Sequence, residues 1–265
     1  MDVQEILADL RAEQAALDDV VAGLADERWS TPTPSPGWTV ADQIGHLTYF
    51  DGTAALAIED PDGFVTARDA LLANMLSGSA TAAEDLTLGA SRAMSPGELL
   101  AAWRAGRDRL AAAAATLPDG ARVPWYGPSM SGRSFLTARL MECWAHGQDV
   151  VDAVGGSRAA TDRLRHIAQL GFITRGWTYA NRGEDAPEGT VRLELTGPSG
   201  DLWTWGPEDA DDTVRGPALD FCLVVTQRRH VDDTALVSGE LARHWLLRAQ
   251  AFAGGATDGP APTRA

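Results

Sequence analysis

Apolar residues recur at helical spacing through Val3, Ile6, Leu7, Leu10, Leu17, Val20, Val21 and Leu24, with acids and Arg11 on the opposite side. That spacing predicts an amphipathic helix over 3–24. The segment Thr31-Pro32-Thr33-Pro34-Ser35-Pro36-Gly37 cannot continue it, because proline lacks an amide donor and fixes φ; an extended turn is expected. Thr39, with Asp42 three residues on, reads as the cap of a second helix running through Ile44, Leu47 and Phe50 to about Ile58. A third helix is expected after Pro61. Ser95-Pro96-Gly97-Glu98 combines a capping serine, a proline at the first helical position and a capping-box glutamate, which starts a helix reaching Leu117. Pro118, Asp119 and Gly120 break it. A loop holding Pro124, Trp125, Tyr126, Gly127 and Pro128 then leads into a helix over 134–154, and a sixth helix is expected over 161–181.

After Gly183 the period changes. Val191, Leu193 and Leu195 alternate with Arg192, Glu194 and Thr196, the pattern of a half-buried strand. Gly197 to Gly200 reads as a turn, Leu202 to Trp205 as a partner strand and Gly206 to Asp212 as an acidic loop. The apolar run 218–227 fits a helix or a buried strand, and helix is favoured; 235–237 reads as a short strand and 240–252 as a last helix. The expected organisation is therefore a mainly α protein: an antiparallel helical bundle over 1–182, a small α+β domain over 183–254 and a disordered tail over 255–265.

Composition narrows the function. Hydrophobic residues make up 45% of the chain and charged residues 22%, enough to build a core. The formal charge of −15 would repel phosphate backbones and anionic lipid, so neither nucleic acid nor membrane is expected as a partner. The basic residues are all arginine, which leaves no lysine for Schiff-base chemistry. Cys143 and Cys222 are too few and too far apart for a disulfide framework. With an acidic amino-terminal stretch and no long apolar run, a cytoplasmic location is expected.

Glu142 and His146 stand four apart on the fifth predicted helix, so they share a face and can chelate a divalent ion. Taken alone, a Glu-x-x-x-His pair is a weak signal that any charged helix produces. His46 lies in an apolar stretch of the second helix, where it is either a metal ligand or a core histidine hydrogen-bonded to a carbonyl.

The surrounding words carry further information. Gly37-Trp38-Thr39-Val40-Ala41-Asp42-Gln43-Ile44-Gly45-His46-Leu47 resembles the Gly-Trp-(Ser/Thr)-x-x-(Asp/Glu)-x-x-x-His-Leu segment of the mycothiol-dependent maleylpyruvate isomerase metal-binding domain, within the DinB-like bundle superfamily. A second block, Glu142 followed by His146 and Asp149, matches as well. The similarity covers roughly residues 1–180. It implies His46, Glu142 and His146 as ligands of zinc or another divalent metal such as nickel or cobalt, and mycothiol as cosubstrate. It also implies an arginine that helps bind an anionic substrate, placed here at Arg228 or Arg229, for which a surface ion pair with Asp232 or Asp233 is the competing role. Asp149 either orients an imidazole or is solvated helix surface; Asp42 is read as a helix-terminal charge. Trp38, Trp125, Tyr126 and Trp144 are read as core, with a pocket lining as the alternative. Cys143 points away from Glu142 around the helix and is assigned no role, and His166 and His244 have no chelating neighbour.

The function implied is a zinc-dependent, thiol-using isomerase or transferase acting on a small anionic substrate, with a homodimer as a possible assembly. The alternatives are a non-catalytic metal-binding or stress-response protein and a purely structural bundle.

Overall fold

The computed structural model describes residues 2–77 and 82–263. It is mainly helical, with small sheets, and its contacts divide the chain into two compact units, Met1–Arg158 and Ala159–Ala265.

In the first unit, α1 (Val3–Val21) is capped by Asp2, whose side chain accepts from the Glu5 amide while Glu5 bonds back. Trp29 is buried in a short 3-10 turn, Asp26–Ser30, that follows it. The proline-rich segment forms the expected turn, closed by an isolated bridge between Pro32 and Thr39. Helices α2 (Val40–Glu59) and α5 (Pro96–Ala115) start at Thr39 and Ser95, each with a complete capping box. Between them lie α3 (Pro61–Ser77) and α4 (Ala82–Arg92). A two-residue ladder, β1 (Arg122–Val123) with β2 (Met130–Ser131), leads into α6 (Gly132–Val154). Helix α1 packs on α5 and α6, and α2 packs on α3, α4, α5 and α6. Being covered from several sides, α2 buries Val40, Ile44, Leu47, Ala54, Ala55 and Ala57. A Cβ on Gly45 would stand 2.8 Å from that of Ser91, so α4 approaches α2 closely beside His46.

The second unit contains α7 (Leu164–Ile173), α8 (Arg175–Ala180), β3 (Val191–Thr196), β4 (Leu202–Trp205), β5 (Asp212–Pro217), α9 (Ala218–Val225) and α10 (Glu240–Leu246). The sheet order is β4-β3-β5, antiparallel between β3 and β4 and parallel between β3 and β5. The expected alternation holds on β3, where Val191, Leu193 and Leu195 are buried.

Several expectations are corrected by packing. The division falls after Arg158 instead of after residue 182, because α7 packs on α9: a Cβ on Gly171 would meet Val225 at 2.8 Å. The sixth predicted helix is broken at Thr174, whose hydroxyl bonds back to the Leu170 and Gly171 carbonyls. The last helix stops at Leu246, since the Ala251 amide donates to Val225 and the Gln250 amide to the Thr178 hydroxyl. Asp212, expected as the last residue of an acidic loop over 206–212, instead opens strand β5, which has no counterpart in the sequence expectations. The tail to Thr263 has no regular structure but is tied down at Thr257, whose carbonyl accepts from Arg182 and Gln227 and whose amide donates to Gln250 Oε1; 264–265 lie outside the described residues.

Candidate metal centre

The Thr39 cap sets the phase of α2. The Asp42 carboxylate accepts from both the Thr39 amide and its hydroxyl, at 2.9 and 2.8 Å, and is held in turn by Arg92 Nε at 2.7 Å. Burial opposes ionisation of Asp42, but the Thr39 and Arg92 bonds hold its carboxyl below the usual carboxylate range. Asp42 thus carries the helix-terminal charge expected of it.

Seven residues after that cap, His46 faces α6, where Glu142 and His146 share one stripe. His46 Nε2 lies 3.5 Å and His146 Nε2 3.1 Å from the same oxygen, Glu142 Oε2. The two imidazole centroids are 4.2 Å apart, and one donor atom from each of the three residues lies within 4.8 Å of the others. The side chains are 18%, 24% and 12% exposed for His46, Glu142 and His146, so the cluster is largely covered but not sealed from solvent. Burial works against ionisation of Glu142, but hydrogen bonds and charge from His146 and His46 outweigh it and hold the carboxyl well below the usual range.

Gln43, 0% exposed, brings Oε1 to 2.5 Å from His146 Nδ1 and donates from Nε2 to Thr33 Oγ1 at 2.9 Å. Trp38 lies 5.4 Å from the His46 ring and stacks on His146 at 5.9 Å and 16°; its Nε1 donates to Glu84 Oε1 at 3.0 Å. Phe50 lies 4.5 Å from His46 and is backed by Trp125 and Tyr126. Desolvation pushes the Tyr126 phenol well up, so it stays neutral.

The donor set fits a divalent ion. Two imidazole nitrogens and a carboxylate oxygen are the ligand types and number of catalytic zinc sites. Three electron-rich tips at these separations repel one another unless a cation or a proton lies among them. Among the described residues, no other group of His, Cys, Asp and Glu is gathered in this way.

The remaining expectations sort by location. Trp38 lines the cluster instead of the core, whereas Trp144 is core, with the Arg158 guanidinium 5.4 Å over its ring. Asp149 is not solvated surface: it is 2% exposed and accepts from the Ser35 hydroxyl at 3.0 Å. Cys143 is buried, and that burial pushes its thiol well up, which removes it as a nucleophile. Arg228 and Arg229 belong to the second unit, at the C-terminal end of α9, where Gln227 adopts φ 59°. Both amides donate to the Leu223 carbonyl, and the guanidinium groups donate to the carbonyls of Thr226 and Arg228 at 2.6 and 2.7 Å. Of their expected rival partners, Asp232 is bonded by Arg243 at 2.6 Å and Asp233 accepts from the Thr263 amide at 2.8 Å. His166 is buried, and His244 pairs with the Tyr179 hydroxyl at 3.0 Å. Nothing in the sequence singles out Gln43, because a glutamine on an amphipathic helix reads as surface.

Residues 10–151 match the family model described as mycothiol maleylpyruvate isomerase N-terminal domain, and residues 187–239 match one described as wyosine base formation. Two relatives from Mycobacterium tuberculosis, one each from strains CDC 1551 / Oshkosh and ATCC 25618 / H37Rv, are described as uncharacterized proteins. Each is 48% identical over 254 residues, covering 96% of this chain and 97% of the relative. Crystal structures of mycothiol-dependent maleylpyruvate isomerase and of a histidine-to-alanine mutant of it share the fold at a TM-score of 0.59 and 16% identity, over 90% of this chain and 93% of theirs.

Proposed function

Because the chain belongs to the mycothiol maleylpyruvate isomerase family, we propose that it is a metal-dependent enzyme that uses mycothiol, a low-molecular-weight thiol, either to isomerise a small anionic substrate or, as an S-transferase, to join that substrate to the thiol sulfur. The observation that carries this reading is the convergence of His46, Glu142 and His146 within 4.8 Å. These residues would hold zinc or a related divalent ion, with nickel and cobalt as alternatives. When bound, such an ion supplies Lewis-acid charge that favours the ionised form of a thiol near neutral pH.

The chain's own groups do the rest. One carboxylate and two neutral imidazoles leave a divalent ion with net positive charge, and a three-ligand set leaves room for a thiol. Trp38 packs beside both histidines and Phe50 beside His46, which limits water around them. The family resemblance implies an arginine for the substrate's carboxylate, with Arg228 and Arg229 as the candidates, since a planar guanidinium fork matches a carboxylate bidentately. The screened surface field of an acidic protein fades beyond about 8 Å and does not override a local cation. A cytoplasmic location and a homodimer go with this reading; among the described residues no helix is long and apolar enough to cross a membrane.

The test is turnover of maleylpyruvate by zinc-loaded protein with and without mycothiol, alongside His46→Ala and Glu142→Ala. Thiol-dependent turnover lost in both variants is expected. Stoichiometric metal without any thiol-dependent reaction would instead favour a non-catalytic metal-binding or stress-response protein.

A further inference from the structure

The bonds behind His146 have only one possible direction. The Trp38 main-chain carbonyl can only accept, and it takes the Thr33 amide at 2.8 Å and the Thr33 hydroxyl at 3.0 Å. With its proton committed there, Thr33 Oγ1 is an acceptor toward Gln43 and receives the amide Nε2 at 2.9 Å. That turns the other end of the amide, the acceptor Oε1, toward His146 Nδ1 at 2.5 Å. An acceptor at that distance requires a proton on Nδ1, which leaves Nε2, 3.1 Å from Glu142 Oε2, as the nitrogen facing the cluster. We infer that Gln43 is a positioning residue: through the chain Trp38 carbonyl, Thr33 hydroxyl and Gln43 amide, it fixes the tautomer and ring orientation in which His146 binds metal through Nε2.

This gives the proline-rich turn a purpose. The turn brings Thr33 back onto the Trp38 carbonyl, and the same Trp38 stacks its indole on the ring that the relay orients. Gln43 is wholly buried, so no water replaces its amide when it is removed. Its role resembles that of the carboxylates and carbonyls that commonly orient metal-bound histidines, whose loss typically weakens metal affinity about 10–100-fold.

The inference rests on the metal-binding reading, and two measurements keep the two apart. The first is zinc affinity by chelator competition in wild type, Gln43→Leu, Gln43→Glu and His46→Ala. Gln43→Leu keeps the volume but removes the acceptor, and should bind zinc roughly 10–100-fold more weakly. Gln43→Glu retains an acceptor facing Nδ1 and should stay within about threefold of wild type. A general packing role predicts the reverse, since burying a charge at that position harms packing more than leucine does. The second is nitrogen NMR of ¹⁵N-histidine-labelled protein, with and without zinc. The His146 Nδ1 proton should be hydrogen-bonded and slow to exchange in wild type and lose both properties in Gln43→Leu, and zinc should shift Nε2. Wild type that binds no zinc overturns the metal reading, while the Nδ1 proton still decides the relay. Equal zinc affinity in wild type and Gln43→Leu, or zinc on Nδ1, overturns the inference.

Discussion

Removing Arg139 should unfasten the two helices that carry the ligands. Arg139 on α6 donates from Nη2 and Nε to Asp51 Oδ1 on α2, at 2.8 and 3.2 Å, and Gln14 Nε2 from α1 covers Oδ2 at 3.2 Å. The ion-pair side chains are 4% and 2% exposed, so water cannot substitute. The pair sits one turn from Glu142 on α6 and just past His46 on α2. In Arg139→Met, a buried carboxylate is left with one neutral donor, and stranding one member of such a pair costs about 3–5 kcal/mol. For a folding unit of this size, that lowers the melting temperature by roughly 6–20 °C. Arg139→Met/Asp51→Leu removes both charges and should recover most of the loss, because replacing a buried pair by apolar groups is often close to neutral. Urea denaturation of wild type, both single variants and the double variant reads these energies as midpoint shifts. A loss below about 1 kcal/mol in Arg139→Met, or a double variant no better than the worse single, would show that the pair does not fasten α2 to α6.

Asp18 gives a pH-dependent counterpart. Its hydrogen bond from Arg104, opposed by burial and aided by the Arg107 charge, lowers its carboxyl below the ordinary 3.8. A depressed folded value means that the stabilisation is complete above pH 3.8 and fades as pH falls through the lowered value. Asp18→Asn should therefore cost about 1 kcal/mol at pH 7, a modest figure because Arg104 is half exposed; the urea-midpoint gap should narrow toward pH 2, and a constant gap would contradict this. At Gly45, a new methyl would meet Ser91 Cβ at 2.8 Å and Oγ at 3.0 Å. Gly45→Ala should destabilise by about 1–3 kcal/mol despite the better helix propensity of alanine, and a stabilised variant in the same denaturation series would show that α4 yields freely.

What the sequence reveals follows from the range of the interactions. The starts of α1, α2 and α5 are legible because their caps are complete within four residues, as at Thr39 and Ser95. Helix α4 is not anticipated: Leu86 and Leu88 are its only large apolar residues, two apart, and Leu86 is 44% exposed, so the repeat is too sparse to read. Strand β5 contains Gly216 and Pro217 and buries Val214, and its partner is β3, which lies beyond an intervening strand. At the candidate site, the spacing of Glu142 and His146 is local and visible, and His46 is recognisable from its surrounding motif. Gln43 and Thr33 are invisible because their meaning lies in a carbonyl five residues beyond Thr33 and an imidazole on another helix.

Metal binding by His46, Glu142 and His146 is decided by an anomalous difference map at the zinc edge from crystals of the zinc-loaded protein. One peak should appear about 2.0–2.2 Å from His46, Glu142 and His146 Nε2, with a remaining coordination position not filled by protein. No peak among these side chains would mean that they hold no metal, and one completed by a fourth protein ligand would mean that no position is left for a thiol.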